Sequence, residues 1–185
     1  LLGHVTDRMI VLTAPDKETR RLLVALDIPA PTRAAVIGSL LKLHKAMDKA
    51  RAQGDEPILY FAYSGHGNYD AEGRGYVHLK DGRFTTRDLY YHLFEPARKA
   101  AVILMVDACN AALLVNSRGP VTRRRVTRSV TMNLENYPNV GVILASSTVG
   151  ETHEWGRYLA GIFSHEVRSG LLGPADLNGD EKITF

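Results

Sequence analysis

Cysteine is nearly absent from this chain: one residue, Cys109, in 185. A lone thiol cannot close an internal disulfide, so a reducing, cytoplasmic setting is expected. Zinc-ligand spacing is missing too, because His4, His44, His78, His92 and His165 stand at no such intervals and only one Cys is available. No apolar run approaches the roughly 20 residues that span a bilayer, and no signal peptide opens the chain, so no membrane association is expected. Aromatics are 8% of the residues and do not interleave with basic ones, which argues against nucleic acid as a partner. No internal repeat or low-complexity tract is visible.

What remains is ordinary globular material, 45% hydrophobic and 23% charged, enough for one domain over residues 1–185. The formal net charge of +3 is local in origin. Arg118, Arg123, Arg124, Arg125 and Arg128 fall in a stretch without a single acid, and the rest of the chain is slightly acidic.

Three continuous apolar runs read as buried strands: residues 58–63, 101–106 and 140–145. Runs without alternation indicate that both faces of the sheet are covered, which favours parallel strands between helices. Residues 9–12 read as a further short strand. Asp16 is placed to cap a helix to about Leu26. Thr32 is placed to cap a longer one to about Gln53, with Ala35, Val36, Leu40, Leu43 and Met47 on one face. Asp81-Gly82 between two β-prone stretches signals a hairpin, and Thr85 or Thr86 a helix cap before residues 88–94. The expected architecture is a three-layer α/β/α sandwich with a mostly parallel sheet. Ligands of such sheets bind outside the carboxyl ends of the strands.

Two of those ends carry reactive side chains. The first run leads into Tyr63-Ser64-Gly65-His66-Gly67, the second into Val106-Asp107-Ala108-Cys109-Asn110. If the strands are neighbours, the imidazole and the thiol meet. A thiol must ionise to attack a carbonyl, and an adjacent imidazole can take its proton and later protonate a leaving amine. A helix starting after Cys109 favours the anion. Gly67 permits close backbone approach, and its N–H with that of Cys109 can stabilise an oxyanion. The competing reading is that Cys109 is a small buried hydrophobe.

The ordered pair of motifs resembles the caspase-like cysteine peptidases of the caspase–hemoglobinase fold, the bacterial caspase-like and metacaspase branch in particular. Similarity extends over nearly the whole chain. Ala145-Ser146-Ser147 through Glu151 and Glu154 is similar to the substrate-loop stretch, and Gly161-Ile162-Phe163-Ser164 to the Gly-x-Phe-Thr start of a late helix, with Ser for Thr. The resemblance implies an endopeptidase acting on proteins or peptides, with His66 as general acid/base, Cys109 as nucleophile, and the Gly67 and Cys109 amides as oxyanion donors. It also implies that the strand and helix with which the family usually begins are absent from this sequence, the chain opening near Leu1-Leu2 at the end of that helix. In the metacaspase-like branch the residues at the positions of Asp107 and Ser64 line an acidic pocket, which implies Arg, then Lys, before the cut. Asp107 can alternatively cap the helix that carries Cys109.

Other residues extend this reading. Glu154 or Glu151 can add to the acidic pocket and Trp155 can wall an apolar subsite, although a solvated surface accounts for the two glutamates equally. The basic stretch 118–128 is a candidate self-processing loop, or a loop docking an acidic partner. No cofactor is required, but Asp176, Asn178 and Asp180 alternate as in the opening of an EF-hand calcium loop. Glu181 stands where that loop wants Gly, and an Asx turn explains the same pattern. The rival to an enzyme is a caspase-homologous interaction module that is catalytically silent. Turnover of small thioesters by the same dyad is a third reading.

Overall fold

The computed structural model describes residues 8–15, 17–22, 28–115, 133–145, 154–155, 160–176 and 178–180. It is mixed α/β, built on a parallel sheet of three strands in the order β1 (Ile58–Ser64), β5 (Ala101–Asp107), β6 (Val140–Leu144). Between β1 and β5 the chain makes a small antiparallel sheet, β2 (Gly67–Tyr69), β3 (Gly75–Leu79) and β4 (Gly82–Thr85).

The parallel strands are in continuous register, Leu59 beside Val102 and Val102 beside Val140. Leu59, Phe61 and Tyr63 therefore share a face with Val102, Leu104 and Val106, and with Val140, Val142 and Leu144. This face is the core, and Val102, Leu104 and Val106 are fully buried in it. Helix α2 (Arg33–Ala52) supplies Val36, Leu40 and His44 at intervals of four, one face of a helix. Thr32 caps it as expected, its Oγ1 accepting the Ala35 N–H at 3.1 Å. The start of α2 is bound to the hairpin, where Asp81 accepts the Arg33 N–H at 2.8 Å, and to the residues just after it, where Arg33 pairs with Asp88 at 2.5 Å.

Strand β1 corrects one expectation. Its apolar run suggested burial on both faces, yet burial alternates, with Ile58 and Tyr60 53% and 55% exposed. β1 is one of the two edge strands among the described residues, and its outward-facing Ile58 and Tyr60 are apolar without being covered. Residues 9–12 correct another: they form no strand. Ile10 and Leu12 instead close an apolar cavity of about 150 Å³ against α2 and β1, while Thr13 donates its N–H to Pro29 at 3.1 Å. Their side chains find apolar contact without their backbone reaching a sheet edge. Of the helix expected over 16–26, α1 (Lys17–Leu22) is described.

Thr85 caps α3 (Thr86–Asp88) in a reciprocal capping box, and the chain continues as a π-helical turn over Leu89–Phe94 rather than as plain α-helix. From that turn and the residues after it, several contacts reach the two flanks of residues 116–132. The Tyr90 hydroxyl donates to the Val115 carbonyl at 2.8 Å. Tyr137 lies edge-on to Tyr90 and donates to Glu95, while Asn139 donates to Ala97 and Ala100 at 3.0 and 2.7 Å. No helix among the described residues is long and apolar enough to cross a membrane.

Candidate active site

Strands β1 and β5 run side by side to the pair Ser64–Asp107, and one more ladder bond follows, Gly65 N–H to Asp107 C=O at 3.0 Å. His66 and Cys109 each stand two residues beyond that pair, at the carboxyl ends of neighbouring strands. The expected juxtaposition of the two motifs is thus what the register produces. His66 is exposed and Cys109 half-buried.

The Cys109 turn is held by its neighbours. Ala108 and Ala111 are fully buried on either side. Asn110 takes a left-handed φ of 56°, which Asn tolerates better than most residues, and its carbonyl accepts the Leu113 N–H at 2.9 Å. That bond opens α4 (Ala111–Val115).

Two glycines let this turn and helix lie directly on the small sheet. A Cβ on Gly67 would stand 2.2 Å from the Cys109 carbonyl oxygen, and one on Gly75 would stand 2.2 Å from the Leu113 carbonyl carbon. The backbone bearing the thiol and the backbone following the imidazole are therefore in direct contact. The Gly67 amide is also available by geometry. His66 C=O accepts the His78 N–H at 2.9 Å, and Gly67 faces Val77, so Gly67 occupies a non-hydrogen-bonded position of the β2–β3 ladder. Its N–H points away from β3.

Asp107 and Ser64 are register partners and so lie on the same face of the sheet. Asp107 is 7% exposed and accepts a hydrogen bond from Ser164 of α5 (Ile162–Leu171). β7 (Glu154–Trp155) pairs with β8 (Ala160–Gly161), placing the Glu154 backbone opposite Gly161, three residues before Ser164. Arg118, Arg123, Arg124, Arg125 and Arg128 lie outside the described residues, as do Glu151 and Glu181. Asp176 Oδ1 accepts the N–H groups of Gly179 and Asp180 at 2.8 and 3.2 Å, and Asn178 donates to Asp180 at 3.1 Å, an Asx-type turn. Among the described residues no group of three or more His, Cys, Asp and Glu is placed to hold a metal ion.

Three contributors escaped the sequence: Tyr63, Gly75 and the Ser164 hydroxyl. Tyr63 looked like one more core aromatic, but its hydroxyl lies 2.8 Å from the His78 carbonyl oxygen and 3.1 Å from that of His66. Burial pushes its phenol up to about 12, and Tyr90 likewise. An unfolded tyrosine ionises near 10. The folded chain holds these protons more tightly, so their contribution to stability is full below pH 10 and is lost as pH rises from about 10 to 12. The urea midpoint should fall over that window in step with the appearance of tyrosinate absorbance. A midpoint still level at pH 12 would contradict the burial of these two hydroxyls.

The site combines a thiol, an imidazole, a backbone N–H outside the ladder and a buried carboxylate. Chemically, that set can add a sulfur nucleophile to a carbonyl, move one proton and hold a developing oxyanion. Compared with protein-family models, with curated proteins and with solved structures, the chain finds no match in any of the three.

Proposed function

We propose that the protein is a cysteine endopeptidase of the caspase/metacaspase kind, built as an α/β/α sandwich and cutting after Arg or Lys. One observation carries the reading: His66 and Cys109 occupy equivalent positions beyond the paired ends of adjacent parallel strands, with the Gly67 backbone packed on Cys109.

In this reaction the Cys109 thiol passes its proton to His66 as Sγ bonds to the scissile carbonyl carbon. The oxygen takes up negative charge and is met by the Gly67 and Cys109 N–H groups. Collapse of the tetrahedral adduct breaks the C–N bond, and His66 returns the proton to the leaving amine. Water, deprotonated by His66, then attacks the thioester. The acid product leaves and the thiol is restored. Asp107 accepts the basic P1 side chain: Ser164 engages one of its oxygens, and a carboxylate has further lone pairs for a guanidinium. Arg118, Arg123, Arg124, Arg125 and Arg128 are candidate P1 residues within the same chain.

The test is a fluorogenic peptide panel with Arg, Lys or Asp at P1, beside labelling by an Arg-based electrophilic probe. Hydrolysis after Arg and Lys with labelling of Cys109 is expected. No turnover and no labelling would favour the silent interaction module. Asp107→Asn should lower kcat/KM for the Arg peptide about 100-fold, the scale of an unpaired buried charge. Unchanged Arg preference would remove Asp107 from the pocket.

A further inference from the structure

The Tyr63 hydroxyl, the His78 N–H and the His66 carbonyl form one junction. The His66 oxygen is approached by the Tyr63 hydroxyl at 3.1 Å and by the His78 N–H at 2.9 Å. Tyr63 also reaches the His78 carbonyl at 2.8 Å, so its single proton is shared between the His66 and His78 carbonyls.

The His66 carbonyl and the Gly67 N–H belong to one peptide unit, trans like every other described here. A trans peptide is planar, and its C=O and N–H point in opposite directions. Whatever pins the oxygen therefore aims the amide. Hydrogen bonds to the oxygen also polarise the unit and make its N–H a better donor.

We infer that Tyr63 is a positioning residue for the Gly67 amide, setting the direction and donor strength of the N–H that meets the oxyanion. This rests on the peptidase reading and adds to it a residue that touches neither substrate nor the dyad side chains. The role is separate from thiolate formation, which belongs to Cys109 and His66.

Tyr63→Phe keeps the ring and removes the hydroxyl. Losing a whole oxyanion donor lowers kcat about 10²–10³-fold, so loosening one should lower it about tenfold. KM for an Arg fluorogenic peptide should stay within about twofold. The pH midpoint for Cys109 alkylation by iodoacetamide should not move. In ¹⁵N-labelled protein the Gly67 amide resonance should shift while that of Gly38, in α2, stays in place, the same spectrum confirming that the variant folds. Unchanged kcat, a loss confined to KM, or a displaced alkylation midpoint would overturn the assignment. If the parent protein hydrolyses no peptide, the peptidase reading fails by itself. The Gly67 resonance then decides the remainder: a shift upholds Tyr63 as the residue that sets this amide, and an unmoved resonance overturns it.

Discussion

Cys109→Ala, His66→Ala and the double variant should all fall to the same residual rate, about 10⁴-fold or more below the parent. Groups that act as one unit are not additive: without the base the thiol is a poor nucleophile, and without the thiol the base has no proton to take. The backbone that sets their register is untouched by either change, since the β1–β5 ladder is made by main-chain groups. The variants should therefore unfold at urea concentrations close to that of the parent. Initial rates on an Arg peptide measure the effect. A double variant far slower than both singles would show two independent contributions instead of a dyad.

Gly67→Ala should lower the rate less than loss of either dyad residue, and by a different route. The added methyl would meet the Cys109 carbonyl oxygen at 2.2 Å and the Ala108 Cβ at 3.1 Å, and neither side can yield easily. β2 is held by β3, and the Cys109 turn is held by the buried Ala108 and Ala111 and by the Leu113–Asn110 bond. Separating the two backbones by about 1 Å displaces both the thiol and the Gly67 amide, which for the proposed peptidase should change the rate by the order of 10²-fold. Stability should fall as well. Gly38→Ala is the control, since the same methyl meets nothing within 4 Å inside α2. There it should raise stability by about 0.8–1.0 kcal/mol, the difference in helix propensity. Equal behaviour of the two variants in thermal unfolding and rate would contradict the close approach.

Much of this arrangement can be read in the chain before folding is considered. The three parallel strands are marked by unbroken apolar runs, and α2 by Thr32 and the Val36–Leu40 spacing. The placement of His66 and Cys109 at neighbouring strand ends follows once the two runs are taken as neighbours, because each motif sits at the same distance from its strand end. Strand β2 leaves no such trace: Gly67, Asn68 and Tyr69 carry no apolar alternation, and they pair only because the hairpin returns beside them. Gly75 reads only as the start of a β-prone stretch, whereas its fit against α4 depends on tertiary packing. The exposed face of β1 is equally hidden, since apolar residues alone do not reveal whether anything covers them. Ser164 meets Asp107 from 57 positions away, and local pattern is blind at that range.

The clasp on Val115, Tyr137 and Asn139 bears on what a cut within 116–132 would do. Each flank is fastened to the stretch from Tyr90 to Ala100 by contacts of its own, so covalent continuity between 115 and 133 is redundant to their attachment. Hydrolysis there would convert one polypeptide into two that migrate apart only in denaturant. In native buffer they would elute as a single species, still carrying His66 and Cys109 on the same fragment.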